Sequence, residues 1–221
     1  MPAPPLHISQ HKLGELDNFV YLIGDPVSCE AAVVDPAWDV EAILAEARRD
    51  SLRITSVLIT HHHHDHTNGV KGLLEKVRAR VYVNRGDTPH VKLSKTDTIV
   101  VGARHEMRLG ERVVRFLDTP GHTPGSQCFL TEGHLFTGDT LFIGACGRVD
   151  FGESSPRQML KSLREVLLPL PDDTLVWPGH DYDDVPCARL GDVKRRNRAV
   201  QIEDPAEFER YVTGPRWPDE E

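Results

Sequence analysis

The chain is poor in cysteine and has no long apolar run. Its four cysteines, Cys29, Cys128, Cys146 and Cys187, are far apart and form no C-x-x-C pair, which argues against a disulfide framework and a structural zinc knot. No apolar run approaches the roughly 18 residues that a transmembrane helix needs. The first residues, MPAPPLHISQHKLGE, lack a basic segment followed by an apolar core. We therefore expect no secretory signal, no membrane association and a cytoplasmic location.

Positive charge is also scarce. The 34 acidic residues outnumber the 26 basic ones and give a net charge of −8 at pH 7, whereas a nucleic-acid surface needs clustered Lys and Arg. We therefore expect no nucleic-acid partner. One basic cluster stands late in the chain, at Lys194, Arg195, Arg196 and Arg198. Such a cluster can hold a carboxylate or phosphate, but it is more often a solvated helix face.

The length and composition favour one layered domain. The 221 residues are 39% hydrophobic and 27% charged, as in ordinary globular proteins. We predict a single domain over 1–221, with a core at about 6–198. The chain closes on the Pro-rich, acidic segment GPRWPDEE, so we expect 199–221 to form a peripheral tail. Nothing in the sequence determines an oligomeric state.

Short runs rich in β-branched and aromatic residues predict strands. They are NFVYLIGD (18–25), EAAVVDP (30–36), ITSVLIT (54–60), ERVVRFLDTPGH (111–122), SQCFLTEGHLFTGD (126–139) and DTLVWPGH (173–180). Helical spacing of apolar residues predicts helices at 39–50 and from Ser154 onward, and VKGLLEKVRARVYVN (70–84) predicts a helix followed by a strand. Two strand-rich blocks, each with helices, predict a sandwich of two sheets covered by helices on both outer faces.

The segment ITHHHHDHTNG, Ile59–Gly69, packs five histidines and one aspartate into six consecutive positions. It directly follows a strand that reads as buried, so a rigid scaffold would hold it. His61 and His63 point the same way in an extended chain and can converge on one ion, while Asp65 and His66 begin a second group of ligands. Further candidates stand beside glycines at distant strand ends: His122, Asp139 and His180. Nitrogen and oxygen donors without thiolate suit a catalytic Zn²⁺, Fe²⁺ or Mn²⁺ site.

The complete pattern resembles the metallo-β-lactamase superfamily. It consists of T-H-x-H-x-D-H at Thr60–His66, then G-H-T-P-G-S, T-G-D-T and P-G-H-D. The resemblance implies an α/β fold of the αββα sandwich type. It also implies two ligand sets joined by a bridging aspartate: His61, His63 and His122 for the first metal, Asp65, His66 and His180 for the second, and Asp139 for both.

Within the superfamily, GDTLFIGACGRVDF (138–151) and GHDYDD resemble glyoxalase II and the persulfide dioxygenases. The first resemblance implies two Zn²⁺ ions, with Fe²⁺ or Mn²⁺ as substitutes. It implies cleavage of a thioester such as S-lactoylglutathione by metal-activated hydroxide, which Asp65 orients. We predict Arg148, Lys194 and Arg195 as contacts for a substrate carboxylate, although Arg148 can equally tie down its loop through Asp150.

Two alternatives remain. Persulfide dioxygenases use one Fe²⁺, held by the counterparts of His61, His122 and Asp139, and this resemblance implies oxidation of glutathione persulfide to sulfite. A non-catalytic metal-binding protein is the other alternative, which seven donors spread over two open sites disfavour. We favour the hydrolase, with a small thioester or glutathione-derived molecule as its substrate.

Overall fold

The structure is a computed structural model that describes residues 4–94 and 96–214. Twelve strands in this part of the chain form two six-stranded sheets. The first sheet has the order β1-β2-β3-β4-β5-β6: β1 His7–Leu13, β2 Asn18–Asp25, β3 Glu30–Val34, β4 Arg53–Leu58, β5 Arg80–Asn84 and β6 Thr98–Val101. The second has the order β12-β11-β10-β9-β8-β7: β7 Glu106–Leu109, β8 Arg112–Asp118, β9 Gln127–Thr131, β10 His134–Gly138, β11 Leu175–Pro178 and β12 Ala188–Arg189.

Helices lie between and after these strands. They are α1 Val40–Arg49, α2 His64–Thr67, α3 Val70–Leu74, α4 Pro156–Lys161 with a π-helical continuation Ser162–Leu167, α5 Leu190–Arg196, α6 Arg198–Gln201 and α7 Pro205–Thr213. Local sequence sets their starts. The Asp39 side chain accepts the Ala42 N–H at the start of α1, and Ser155 accepts the Gln158 N–H at the start of α4. Among the described residues, none of the helices combines the length and the apolar character of a membrane-spanning segment.

Three apolar cores define the layers. Large side chains from both sheets, among them Tyr21, Phe116, Phe129 and Phe136, form one buried cluster between the sheets. A second cluster packs α1 and α3 against the outer face of the first sheet, and a third packs α4 to α7 against the outer face of the second. The layers therefore run helix, sheet, sheet, helix, which confirms the predicted αββα sandwich.

The strands that were not predicted are mostly short or polar. β1 has the polar sequence HISQHKL, and β6, β7 and β12 contain only two to four residues each. None of them offers a run of apolar residues long enough to stand out, so pairing with a neighbouring strand decides their conformation.

The region after Arg198 differs from the expected peripheral tail. Pro205 opens α7 behind a capping Asp204, whose carboxylate accepts the Glu207 N–H. Phe208 and Val212, one helical turn apart, are buried in the same core as α4. Residues 199–213 are therefore part of the outer helical layer, while 215–221 of the expected tail lie outside the described residues.

The two sheets meet closely at one edge, where several strands end. The Gln127 N–H donates to Thr60 O at 2.9 Å, and the Phe19 N–H donates to Gly179 O at 2.8 Å. Gly138 ends β10 with φ +47°, and a Cβ there would lie 2.4 Å from Thr60 Oγ1. Only glycine combines this backbone conformation with so close an approach, so Gly138 allows the two sheets to bring their strand ends together.

Candidate metal centre

The residues predicted to bind metal converge at this shared edge. His61 follows β4 in the first sheet, whereas His122, Asp139 and His180 follow β8, β10 and β11 in the second. The remaining three, His63, Asp65 and His66, lie on and just before α2, which begins as the chain leaves β4. Each group of ligands therefore combines side chains from both sheets.

The first group contains His61, His63 and His122. One ring nitrogen of each lies within 4.8 Å of the others, and His63 Nδ1 is 3.0 Å from His122 Nε2. Ligand atoms around a tetrahedral zinc ion, with bonds of about 2.0–2.1 Å, are separated by about 3.3–3.4 Å. The separation of His63 and His122 is thus close to that value, and His61 offers a third nitrogen within 4.8 Å of both.

The second group contains Asp65, His66 and His180, again with ligand atoms within 4.8 Å of one another. His66 Nε2 lies 3.1 Å from His180 Nε2. Asp65 Oδ2 is 3.4 Å from His66 Nε2 and 3.5 Å from His180 Nε2. Two imidazoles and one carboxylate thus face a common point.

Asp139 lies between the two groups. Its Oδ1 is 3.4 Å from both His66 Nε2 and His180 Nε2, and its Oδ2 is 3.6 Å from His122 Nε2. Each carboxylate oxygen thus faces a different group. This is the position that a carboxylate bridging two ions would occupy.

Hydrogen bonds on the outer side of the rings fix their orientation. His122 Nδ1–H donates to Arg148 O at 2.8 Å, and His180 Nδ1–H donates to Leu16 O at 2.7 Å. A proton on Nδ1 leaves Nε2 with a free lone pair that points into the centre. The backbone therefore selects the ligand form of these two histidines.

The protonation states of the first group also suit metal binding. Burial lowers the pKa of His61 well below its ordinary value. Burial, together with the neighbouring His122, lowers the pKa of His63 to about 4. Burial likewise lowers the pKa of His122. All three rings are therefore neutral at physiological pH, and neutral imidazole is the form that binds a metal.

The second group combines negative charge with a site for a cation. Burial favours the neutral form of Asp139, but His180 and His66 overcome it and hold the pKa of this carboxyl well below its usual range. Burial also favours a neutral His66, but Asp139 and Asp35 overcome it and raise the pKa of this ring. The surroundings of His66 thus stabilise positive charge, which a bound ion would supply in place of a proton.

Two buried polar atoms test whether a metal fits. His61 Nε2 and Asp139 Oδ1 have no hydrogen-bond partner among the described residues. The other nitrogen of His61 lies 3.0 Å from the Thr60 hydroxyl, so only Nε2 is left facing the centre. Unsatisfied buried polar atoms cost free energy, and an ion bound by both groups would satisfy them. The donor set therefore fits a metal centre.

Two residues that contact the predicted ligands were not predicted from the sequence. Asp35, at the end of β3, has Oδ2 2.9 Å from His66 Nδ1 and also accepts the Thr60 hydroxyl. Asn18 donates from its side chain to Asp65 Oδ2 at 3.0 Å and accepts the indole N–H of Trp38. The position of Asp35 could have indicated its role. Asp35 directly follows β3, which is the parallel neighbour of β4, so both strands end at the edge of the sheet where His61 lies.

The predicted substrate-binding cations lie in different places. Arg148, on the loop before α4, forms two hydrogen bonds to Asp150, so the loop contact anticipated from the sequence is present. Lys194 and Arg195 lie on α5, where they pair with Asp172 and Asp192 respectively. Their role in substrate binding stays a prediction.

Aromatic side chains flank the centre on two sides. The Phe151 ring centroid lies 5.4 Å from that of His63 and 5.3 Å from that of His122. On the other side, Tyr182 stacks on His180 with ring centroids 4.6 Å apart, and 48% of Tyr182 is exposed. A bound molecule would therefore contact both polar ligands and aromatic faces.

Comparisons with known proteins agree with this geometry. Residues 13–180 match the family model of the metallo-beta-lactamase superfamily, and the chain belongs to this superfamily. In fold, the chain is similar to the crystal structure of ETHE1 from Myxococcus xanthus, with a TM-score of 0.86 and 33% identity, over 96% of this chain and 92% of that one.

Two curated relatives are hydrolases by name. A hydroxyacylglutathione hydrolase from Synechococcus sp. (strain JA-2-3B'a(2-13)) is 41% identical over 75% of this chain, but the match covers 64% of that relative. The probable polyketide biosynthesis zinc-dependent hydrolase PksB from Bacillus subtilis (strain 168) is 30% identical over 89% of this chain and 87% of its own length. These likenesses, with that to ETHE1, confirm the predicted superfamily and the branch resembling glyoxalase II and the persulfide dioxygenases.

Proposed function

We propose that the protein is a metal-dependent hydrolase of the glyoxalase II type, which cleaves a thioester such as S-lactoylglutathione at a centre for two zinc ions, with Fe²⁺ or Mn²⁺ as possible substitutes. The observation that carries the proposal is the position of Asp139, whose two carboxylate oxygens face separate groups of ligands. The names of the curated relatives support hydrolysis and zinc.

Two ions at this centre would supply Lewis acidity, which lowers the pKa of a water molecule and polarises a thioester carbonyl. The protein's own part is orientation and proton transfer. Burial disfavours ionisation of Asp65, but hydrogen bonds from His66 and Asn18 overcome this and keep its pKa below the usual range. Its carboxylate therefore stays ionised and can accept a hydrogen bond from the attacking water, which fixes the direction of attack.

The leaving group of a thioester does not require a proton donor on the protein. A thiol ionises near pH 8.5, so the sulfur can leave as a thiolate without a strong general acid. For a substrate that carries a carboxylate, we propose Arg148 as a contact. Its side chain is 66% exposed and lies with its guanidinium carbon 5.4 Å from the Phe151 ring centroid. Phe151 in turn borders His63 and His122, so Arg148 is held beside the centre.

The alternative function is a persulfide dioxygenase with one Fe²⁺ held by His61, His122 and Asp139. The likeness to ETHE1 over nearly the whole of both chains supports it. In this alternative, Asp65, His66 and His180 form a hydrogen-bonded group beside the iron rather than a second metal site.

One pair of measurements on the purified protein separates the two functions. The hydrolase should contain about two metal ions per chain and should cleave S-lactoylglutathione without O₂. His180→Ala should then lose one ion and the activity, while His64→Ala, which changes an exposed histidine in the same segment, should keep both. A protein with one iron that consumes O₂ on addition of glutathione persulfide, and leaves S-lactoylglutathione intact, would overturn the proposal.

A further inference from the structure

Three potential ligands outside the metal centre meet on the surface next to it. His62 belongs to the same run of histidines as His61 and His63 but joins neither group of the centre. His90 lies on the loop after β5, and Glu153 lies on the loop between β10 and α4. Three segments that are distant in sequence thus contribute one side chain each.

Their ligand atoms are close together. Glu153 Oε2 lies 3.3 Å from His90 Nε2 and 3.9 Å from His62 Nε2, and one ligand atom from each of the three residues lies within 4.8 Å of the others. These separations bracket the roughly 3.4 Å between ligands of a tetrahedral zinc ion. The His62 and His90 rings stack with centroids 4.3 Å apart. A shared ion would require the rings to leave this stacked arrangement, because the lone pair of a ring nitrogen lies in the ring plane and both must point toward the ion.

The His62 ring lies beside a buried carboxylate. Asp87, only 1% exposed, accepts the His62 backbone N–H at 2.8 Å, and the same oxygen lies 3.1 Å from His62 Nδ1. Asp87 is itself held by the Thr123 hydroxyl and the Gly125 N–H. A carboxylate beside one ring nitrogen of a histidine leaves the other nitrogen available to a metal. That other nitrogen, His62 Nε2, lies 3.9 Å from Glu153 Oε2.

We propose that His62, His90 and Glu153 form a peripheral site for one divalent transition metal ion, separate from the metal centre. Two imidazoles and one carboxylate suit Zn²⁺ and its neighbours in the first transition series. His90 and Glu153 are 38% and 50% exposed at their side chains, so an ion can enter directly from solvent and water can complete its coordination.

An ion at this site would act on the metal centre through the loop before α4. Phe151, two residues before Glu153, contacts the rings of His63 and His122. An ion that binds Glu153 together with His62 and His90 would fix this part of the loop and so hold Phe151 against His63 and His122. The peripheral ion would thus fix one wall of the substrate site.

The test is a count of bound zinc that does not involve catalysis. Protein without an affinity tag, carrying the metal with which it was isolated, is dialysed against increasing Zn²⁺. His90→Ala and Glu153→Gln should each bind one equivalent fewer than the wild type, or bind it at least about tenfold more weakly. His64→Ala removes an exposed histidine of the same segment and should match the wild type.

Hydrogen exchange provides a second readout. Zn²⁺ should slow amide exchange at 150–155 in the wild type and leave it unchanged in His90→Ala. The site is refuted if the wild type and both variants bind the same number of ions with the same affinity. Because the wild type is compared with surface variants, this result does not depend on whether the centre proves to be a hydrolase or a dioxygenase.

Discussion

Replacement of Asp35 by Asn tests how the structure prepares His66 for metal. Asp35 Oδ1 accepts the Thr60 N–H at 2.7 Å, while Oδ2 accepts the Thr60 hydroxyl and lies 2.9 Å from His66 Nδ1. Asn has the same shape and, like Asp, tolerates the positive φ of 49° found here. The substitution therefore changes hydrogen bonding and charge while leaving the backbone unstrained.

The expected effect follows from the direction of one hydrogen bond. The amide oxygen of the introduced side chain would keep the Thr60 N–H, so its NH₂ group would face His66 Nδ1. That nitrogen must then accept, which moves the ring proton to Nε2, the atom that faces His180 and Asp139. Loss of such an outer partner lowers metal affinity about 10–100-fold, or about 1.4–2.8 kcal/mol. The loss should fall on the group of Asp65, His66 and His180.

Equilibrium dialysis against Zn²⁺ measures this loss. Asp25→Asn is the matched control, since Asp25 is also a buried carboxylate of the first sheet but its partners, Ser28, Glu111 and Arg112, lie away from the metal centre. It should lower stability and leave zinc binding unchanged. If Asp35→Asn bound all of its zinc with an affinity within twofold of the wild type, Asp35 would not determine which nitrogen of His66 carries the proton, and the reasoning would be wrong.

Three further predictions concern stability. Burial opposes ionisation of Asp25, but backbone N–H groups and Arg112 overcome it and depress its pKa; the stability it contributes is therefore present above about pH 3.9 and is lost as pH falls toward the depressed pKa. Asp25→Asn should therefore reduce the pH dependence of the free energy of unfolding, measured by urea denaturation at pH 2–5. Phe208→Ala should lower the free energy of unfolding by about 3–5 kcal/mol, because the ring is fully buried; a loss below about 1 kcal/mol would instead match a peripheral tail. Gly138→Ala should lower the free energy of unfolding, measured by urea denaturation, by more than about 1 kcal/mol, because an alanine there would have a positive φ and would clash with Thr60. Unchanged stability would contradict that contact.

The sequence predicted the parts of the site that depend on local pattern. His61 and His63 share a short segment after a buried strand, and His122, Asp139 and His180 each follow a strand and stand beside a glycine. Periodicity and turn residues were enough to place them at strand ends. Their convergence then followed from the layered fold that the family resemblance implied.

The supporting contacts depend on tertiary structure and could not be predicted in this way. Asn18 supports Asp65 across 47 positions, and the cluster of His62, His90 and Glu153 requires three loops to meet. No periodicity within one segment encodes such proximity. The helix α7 is a different case, because Phe208 and Val212 are one helical turn apart in the sequence and this spacing is typical of an amphipathic helix.

The order of the strands has a consequence for assembly. The first six strands form one sheet and the last six form the other, so no strand crosses between them. The first half of the chain supplies His61, His63, Asp65 and His66, and the second half supplies His122, Asp139 and His180. Neither half alone holds a complete group, so any ion bound at the centre links the two halves of the polypeptide. Metal uptake is therefore a direct measure of whether the halves have docked, and removal of the metal should weaken their association by the free energy of ion binding.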